Sequence, residues 1–270
     1  MSDYDRNVAA AKWGRPLTRA ETTVIDAGLR AYMLRIYNYM VLGLAITGFA
    51  ALGVYMLSVT GDAASAARTA TGGALALRSG VYLTPIGYAL FVSPLKWAII
   101  LAPLAVVFFL GFRVQSMRPA TAQITFWVFA ALIGLSLGSI FLVYTHTSIV
   151  RVFFITAASF GALSLYGYTT QRDLSGWGSF LLMGLFGIII ASLVNLFIQS
   201  TMLQWIVSVI GVLVFAGLTA WDTQRLKSEY LYGAMEGEVM EKSAIMGALS
   251  LYLNFINMFT MLLQLFGNRE

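Results

Sequence analysis

Asp222 is the residue whose type and setting most strongly suggest chemistry. Its carboxyl group follows an uncharged run, 202–221, and a carboxylate at the centre of a lipid-embedded helix costs about 2.5 to 3.5 kcal/mol. Near a helix end the cost is smaller, but the group must still be paired, hydrated or protonated. Ion pathways and proton relays use such groups. The alternative is a helix-end residue in the headgroup zone beside Arg225 and Lys227.

Polar and small side chains recur at helical spacing in the apolar stretches on both sides of Asp222. The last stretch carries the longest such face, formed by Ser243, Gly247, Ser250, Asn254, Asn257, Met261 and Gln264. Weaker faces occur in the two preceding stretches, at Ser208, Gly211, Thr219 and Asp222 and at Ser192, Asn195 and Gln199. Helices in lipid associate through such residues, so these faces are predicted to pack together. We expect a polar core that includes Asn195, Ser250 and Thr219. For single amides the alternative is interhelical hydrogen bonding without a transport role.

The other residues give little support for an enzyme activity. With no Cys and one His, the chain lacks the ligand sets of zinc, copper and iron sites, so any metal must be an oxygen-ligated one. The run Gly134-Leu-Ser136-Leu-Gly138 matches the G-x-S-x-G pattern of serine hydrolases, which needs a strand-to-helix elbow and a base. His146, on the same predicted helix, would lie about 15 Å from Ser136. We predict no enzyme activity and no cofactor, and we assign Gly134 and Gly138 to close helix packing.

The elements that position these residues are predicted to lie in lipid. Hydrophobic residues make up 59% of the 270 residues and charged residues 11%, against roughly a quarter in a soluble domain. Uncharged stretches predict seven membrane-crossing helices, at 39–57, 97–112, 124–144, 152–168, 180–198, 202–221 and 244–266. The sequence therefore predicts an all-α membrane protein, a seven-transmembrane-helix bundle.

The segment 80–95 is apolar but is interrupted by Pro85 and Pro94. Two prolines would leave backbone groups unpaired in a lipid-exposed helix, so this segment is predicted to be interfacial or re-entrant. Counting it as a span would give eight helices. Residues 1–30 are predicted to form a polar cytoplasmic tail and residues 31–270 the transmembrane domain.

The basic residues predict the orientation. With the N-terminus inside, twelve of the 17 Lys and Arg residues are cytoplasmic: Arg6, Lys12, Arg15, Arg19, Arg30, Arg35, Arg113, Arg118, Arg172, Arg225, Lys227 and Lys242. The other five are Arg68, Arg78, Lys96, Arg151 and Arg269. Because positive loops stay in the cytoplasm, we predict a cytoplasmic N-terminus and a periplasmic C-terminus in a bacterial-type inner membrane. The net charge of +5 is dispersed and forms no basic stripe, which favours the lipid bilayer over nucleic acid as the partner.

Two motifs in the last two predicted helices resemble those of a known family. They are Gly217-Leu-Thr-Ala-Trp-Asp222-Thr-Gln-Arg-Leu-Lys227 and Ala248-Leu-Ser-Leu-Tyr252-Leu-Asn254-Phe-Ile-Asn257-Met-Phe259. With the seven-helix layout, they resemble the Bax inhibitor-1 (TMBIM, YccA-like) family over about 39–266. The resemblance implies six helices around a central seventh, and a pH-sensitive calcium leak gated by two carboxylates that share protons.

Asp222 matches the first of the two family carboxylates, but Asn254 stands at the second position. An amide keeps an oxygen for coordination and cannot titrate. Arg113 matches a basic residue that latches the first carboxylate in some members.

On this basis we expect a pH-influenced calcium or cation leak through a cavity between the second, sixth and seventh helices. Asp222, Asn254 and Asn257 would form the ion pathway and pH sensor. Asp222 would be the possible Ca²⁺ site and Arg113 the gate latch. The alternative is a non-conducting regulatory protein that binds another membrane protein, such as a quality-control protease.

Overall fold

Helices dominate the fold. A computed structural model describes residues 19–68, 72–78, 80–232 and 237–269, with side chains from residue 27 onward except at 232. The helices are α1 (Arg19–Ser58), α2 (Pro85–Phe91), α3 (Leu95–Arg113), α4 (Pro119–Leu137), α5 (Ile140–Val143), α6 (His146–Thr169), α7 (Ser175–Ile198), α8 (Thr201–Tyr232) and α9 (Gly237–Phe266). The strands are β1 (Val59–Thr60), β2 (Ala76–Arg78) and β3 (Val81–Leu83), and a short 3₁₀ helix, Val114–Ser116, follows α3.

Seven helical segments in the described part of the chain are long and apolar enough to cross a membrane. They are Ala27–Ser58, Leu95–Ser116, Pro119–Val143, His146–Thr169, Ser175–Ile198, Thr201–Leu231 and Gly237–Phe266. This confirms the predicted all-α membrane fold with seven spans. The segment after Gly80 is not an eighth span, because it holds β3 and the seven-residue α2.

The chain divides into two compact units, and the boundary falls within α1. The first unit comprises Met1–Met40 and Thr147–Gly267, and the second comprises Val41–His146 and Asn268–Glu270. The first unit therefore contains the early part of α1 together with α6 to α9. The second contains the rest of α1, the sheet, and α2 to α5.

Helix α9 is the core of the first unit. Of the most apolar part of this helix, 67% is buried, against 11 to 28% for the other six spans. Phe255 of α9 meets Phe153 and Phe160 of α6 edge-on, with ring centroids 5.6 Å apart in both pairs. Small residues bring the helices closer, since a Cβ at Gly247 would overlap the Leu226 side chain of α8. This burial agrees with the central position expected of the last helix.

The second unit joins its spans through hydroxyl and glycine contacts. Thr47 of α1 donates from Oγ1 to the carbonyl oxygen of Ala130 in α4, at 2.9 Å. A Cβ at Gly134 would overlap the Thr47 carbonyl and the Ala50 side chain, so close packing at Gly134 is confirmed. Ser136 donates to the Ile99 carbonyl of α3 at 2.9 Å.

The third predicted span, 124–144, is interrupted in the structure. Helix α4 ends at Leu137, α5 covers four residues, and His146 begins α6. The expectation that His146 shares a helix with Ser136 is therefore wrong. The His146 ring instead packs 5.2 Å from the ring of Tyr55.

The loop after α1 folds into a small antiparallel sheet of order β1-β3-β2. Val59 pairs with Leu83, and Ala76 pairs with Tyr82. Thr84 then caps α2, because its Oγ1 accepts from the Gly87 amide at 3.0 Å, and Pro85 occupies the first turn. Strands of two or three residues are too short to show an alternating pattern, so the sequence analysis did not predict this sheet.

Helix ends differ most from the prediction at α1, α8 and α9. Helix α1 begins at Arg19, inside the predicted 1–30 tail, whose residues 1–18 lie outside the described residues. Helix α8 continues to Tyr232 and α9 starts at Gly237, so the predicted loop between them is helical on both sides of residues 233–236.

Candidate functional site

Asp222 lies inside α8 rather than at its end, with ten further helical residues following it. Charged side chains hold this extension together, because Arg225 pairs with Asp222 at 2.8 Å and with Glu229 at 3.5 Å, at helical spacings of three and four. Asp222 stands about 31 Å along α8 from Thr201, which is close to the thickness of a hydrocarbon core. It is only 3% exposed. Asp222 is therefore a buried carboxylate close to one end of the sixth span.

Both carboxylate oxygens of Asp222 have partners. Oδ2 accepts a hydrogen bond from Ser250 Oγ at 2.8 Å and another from Asn254 Nδ2 at 2.7 Å, both from α9. Oδ1 is paired with Arg225 Nη2 at 2.8 Å. An ionised carboxylate only accepts hydrogen bonds, so the amide nitrogen of Asn254 must face it. One cation and two neutral donors satisfy this charge, as burial requires.

Arg225 connects the buried carboxylate with the outside of the unit. Its side chain is 39% exposed, and its guanidinium lies 4.9 Å from the centroid of the Trp221 ring. The sequence analysis placed Arg225 beside Asp222 but did not pair the two. Their spacing of three residues was the available signal, and it was missed because a loop was expected after residue 221.

The remaining predicted site residues are distributed differently. Asn257 donates to the Leu253 carbonyl of its own helix at 2.8 Å, and Thr219 donates to Phe215 within α8 at 2.7 Å. Asn195 accepts from the Ser200 amide at 2.9 Å and so supports the turn between α7 and α8.

Arg113 is the last residue of α3. Its side chain is exposed, and it belongs to the second unit. Of the predicted site residues, the structure thus brings together Asp222, Ser250 and Asn254. It adds Arg225, which lies on α8 with Asp222.

The rest of the polar face of α9 serves helix packing in the first unit. Ser243 is hydrogen-bonded to Tyr32 of α1 at 2.8 Å, and Gln264 accepts from Ser208 of α8 at 2.7 Å. Met261 lies against Gly211 of α8, where a Cβ would overlap its sulfur. These residues of the face thus contact α1 and α8 within the first unit, although Gln264 is exposed.

Neighbours of Asp222 in the first motif bind α6 and the connection between α6 and α7. Thr223 is hydrogen-bonded to Ser164 of α6 at 3.0 Å. Gln224 donates to the Arg172 carbonyl at 2.8 Å and accepts from the Leu174 amide at 2.8 Å, which fixes the connection between α6 and α7. Lys227 is buried and donates to the carbonyl of Tyr168, close to the end of α6, at 3.0 Å. This part of α8 therefore anchors both flanking helices.

A chain of hydroxyl groups runs beside the carboxylate. Tyr37 of α1 is hydrogen-bonded to Ser164 of α6 at 2.5 Å. Ser164 is hydrogen-bonded in turn to Thr223 of α8, whose Oγ1 donates to the Thr219 carbonyl at 2.8 Å. The sequence analysis did not anticipate this chain, because its members come from three distant stretches of sequence.

The donor set around Asp222 does not suit a resident Ca²⁺ ion. Calcium takes six to eight oxygen ligands, and no group of three His, Cys, Asp or Glu residues that could hold a metal occurs within the described residues. The adjacent guanidinium of Arg225 also repels a dication. The Asp222 carboxylate can instead exchange its partners. Its donors are side chains that can move away from it, so the carboxylate can accept a proton or pair with a permeating cation.

These features define a multi-pass helical membrane protein with a paired carboxylate buried in its sixth span. A family model described as "Inhibitor of apoptosis-promoting Bax1" matches residues 29–270. The chain therefore belongs to the Bax inhibitor family.

Full-length relatives agree with this assignment. The chain is 46% identical over 272 residues to an uncharacterised protein of Rickettsia prowazekii (strain Madrid E), covering 100% of both chains. It is 42% identical over 271 residues to an uncharacterised protein of Caulobacter vibrioides, again covering 100% of both. It is 44% identical over 246 residues to "Inner membrane protein YbhL" of Escherichia coli (strain K12), covering 90% of this chain and 94% of that protein.

Proposed function

We propose that this protein is a pH-influenced cation leak, with Ca²⁺ among its permeant ions, and that its ion path passes Asp222. The observation that supports the proposal is a carboxylate, 3% exposed, inside a membrane span. Ionisable groups at such depth are costly to keep, and they commonly mark ion or proton pathways.

Arg225 has the properties of an exchangeable counterion in this proposal. Its side chain is long and 39% exposed, so it can swing outward while a cation takes its place at Asp222. Protonation of Asp222 would remove the charge that attracts the cation, which gives the leak its pH influence. Asn254 and Asn257 supply neutral amide oxygens along the path, and Arg113 remains the proposed gate latch. We place the protein in the inner membrane with a cytoplasmic N-terminus, in line with its basic residues and with the name of YbhL.

Flux from liposomes that hold only this protein tests the proposal. We expect Ca²⁺ release above that of empty liposomes, with a rate that changes across a pH series. Asp222→Asn should lower the rate and flatten its pH dependence. Asp62→Asn is the matched control, since Asp62 is exposed and caps a turn by accepting from the Ala64 amide at 2.9 Å. If the native protein inserts normally and releases no ion at any pH, the proposal is wrong.

A non-conducting regulatory protein that binds another membrane protein is the second candidate. It is favoured by the saturation of the Asp222 oxygens, because Arg225, Ser250 and Asn254 use them entirely within the protein. This candidate predicts no flux from any variant. Asp222→Asn would then lower only the melting temperature of the protein.

A further inference from the structure

A groove of about 330 Å³ lies on the first unit between α6, α7 and α8. Its floor on α8 consists of small residues, Ala216, Gly217 and Ala220. Leu163 of α6 and Leu181 of α7 form apolar walls. Its volume is in the range of ligand pockets. Neither Asp222 nor its partners Arg225, Ser250 and Asn254 line the groove, although the Trp221 ring at its edge packs against Arg225.

Aromatic rings mark one end of the groove. Tyr166, Trp177 and Trp221 line it there, and Tyr166 and Trp177 are 47% and 60% exposed. Tyr and Trp concentrate at the level of lipid headgroups. The connection between two spans, α6 and α7, lies at this same end, so the end faces the headgroups. From Leu174 to Leu181 the groove follows α7 for about 10 Å toward the lipid chains.

Two opposite charges stand at the mouth of the groove. Arg172 and Asp173 both line it and both are exposed. Asp173 Oδ1 accepts from the Ser175 amide at 2.8 Å, and hydrogen bonds from the Ser175 side chain and backbone lower the pKa of Asp173 below its ordinary value. The carboxylate is therefore ionised at neutral pH. Gln224 holds the backbone of this connection on both sides of Asp173, so the backbone positions from which the two charged side chains extend are fixed.

We propose that this groove binds one phospholipid whose headgroup carries a phosphate and a primary ammonium, as in phosphatidylethanolamine. The phosphate pairs with Arg172, the ammonium donates to Asp173, and one acyl chain fills the groove above Ala216 and Gly217. In any membrane, the acyl chain of some lipid fills a lipid-facing groove. The headgroup contacts therefore determine which lipid the groove prefers. Asp173 repels a headgroup with net negative charge, and a trimethylated ammonium cannot donate the hydrogen bond.

Native mass spectrometry of the delipidated full chain tests this preference. The probes are four lipids with matched acyl chains: phosphatidylethanolamine, phosphatidylcholine, phosphatidylglycerol and diacylglycerol. We expect one phosphatidylethanolamine to be retained most strongly. Arg172→Gln should lower its affinity about tenfold, the usual scale for loss of a charge-assisted hydrogen bond. Asp173→Asn keeps an acceptor for the Ser175 amide and should remove the advantage of phosphatidylethanolamine over phosphatidylglycerol.

Two further variants separate the groove from the surface charge. Ala216→Phe should fill the groove and weaken retention of all four lipids. Arg118→Gln removes another exposed arginine at a span end and should bind lipid as the native chain does.

Three results would overturn the proposal. Equal retention of the four lipids would remove the headgroup preference. Unchanged phosphatidylethanolamine binding in Arg172→Gln or in Ala216→Phe would place the lipid elsewhere. A native dimer that Ala216→Phe converts to a monomer, with lipid binding unchanged, would make the groove a contact between two copies of the chain.

Discussion

Asn254 occupies the position at which the family resemblance places a second carboxylate. Its amide nitrogen lies 2.7 Å from Asp222 Oδ2, so the neutral residue stabilises the ionised carboxylate instead of competing with it for a proton. Arg225 supplies the compensating charge. The native cluster is thus a carboxylate–guanidinium pair with neutral donors, whereas a family-type dyad would hold two acids.

Asn254→Asp should make ion flux more strongly pH-dependent around neutrality. At the native spacing, two ionised carboxylates repel each other, so the new pair would share a proton and titrate as a unit. Ca²⁺ release from liposomes across a pH series measures the change. Asp222→Asn in the Asn254→Asp background should abolish it, because one acid remains. Equal, pH-independent flux from all three proteins would keep a pore but remove both residues from its gate.

The sequence predicted part of this cluster, and the reason lies in helical periodicity. Ser250 and Asn254 lie on one face of a long apolar helix, so spacing predicted that both face inward. The family resemblance placed Asn254 near Asp222, and the contact of Ser250 with Asp222 was not predicted. The partner Arg225 was missed because charged residues after an apolar run usually mark a loop. Arg113 was favoured instead through the family resemblance, and its role as a latch stays a prediction.

At the scale of elements, α6 and α8 are in close backbone contact at Gly167. A Cβ on this residue would overlap the carbonyl oxygen and the Cα of Ala220, which are backbone atoms and cannot rotate away. Helices in lipid depend on such close contacts, since lipid supplies no hydrophobic drive between them. Gly167 therefore sets the distance between the helix that carries Asp222 and its neighbour.

Gly167→Ala should destabilise the protein by roughly 1 to 3 kcal/mol, the usual cost of overpacking a tight contact. Thermal unfolding in detergent measures the loss. Gly161→Ala is the matched control on the same helix, because a Cβ there meets nothing within 4 Å. It should be neutral or slightly stabilising, since Ala is the better helix former. Similar destabilisation by both variants would show that α6 responds to lost flexibility and not to contact with α8.

Element boundaries were predictable wherever lipid alone determined them. Six of the seven uncharged stretches are continuous helices and the third is helical apart from a break after Leu137, because a membrane leaves backbone groups no other partner. Outside lipid, an uncharged stretch no longer predicts where a helix begins or ends. Tertiary contacts determine the helix ends there. Helix α8 continues past Asp222 with Leu226, Lys227 and Leu231 buried, and the exposed Arg225–Glu229 pair adds little. Helix α1 buries Leu29, Tyr32 and Ile36 along one face before its predicted span begins.

At the scale of the whole molecule, an odd number of spans predicts that the two ends of the chain lie on opposite sides of the membrane. We expect alkaline phosphatase fused after Glu270 to be active, because the basic residues predict a periplasmic C-terminus. The same enzyme fused at Gly233, a position outside the described residues, should be silent. Enzyme activity normalised to expression is the measurement. An active Gly233 fusion with a silent C-terminal fusion would reverse the orientation, and with it the side from which Asp222 is reached.

The Asp222–Arg225 pair also bears on how the protein is made. The two residues are three positions apart on one helix, so both are present as soon as the ribosome has delivered the sixth span. Ser250 and Asn254 belong to the seventh and are synthesised later. The helix that carries Asp222 thus carries its counterion as well, and pairing within one helix lowers the cost of a charged residue in the bilayer. A carboxylate whose only partners lay on α9 would have to wait, unpaired, for the rest of the chain to be translated.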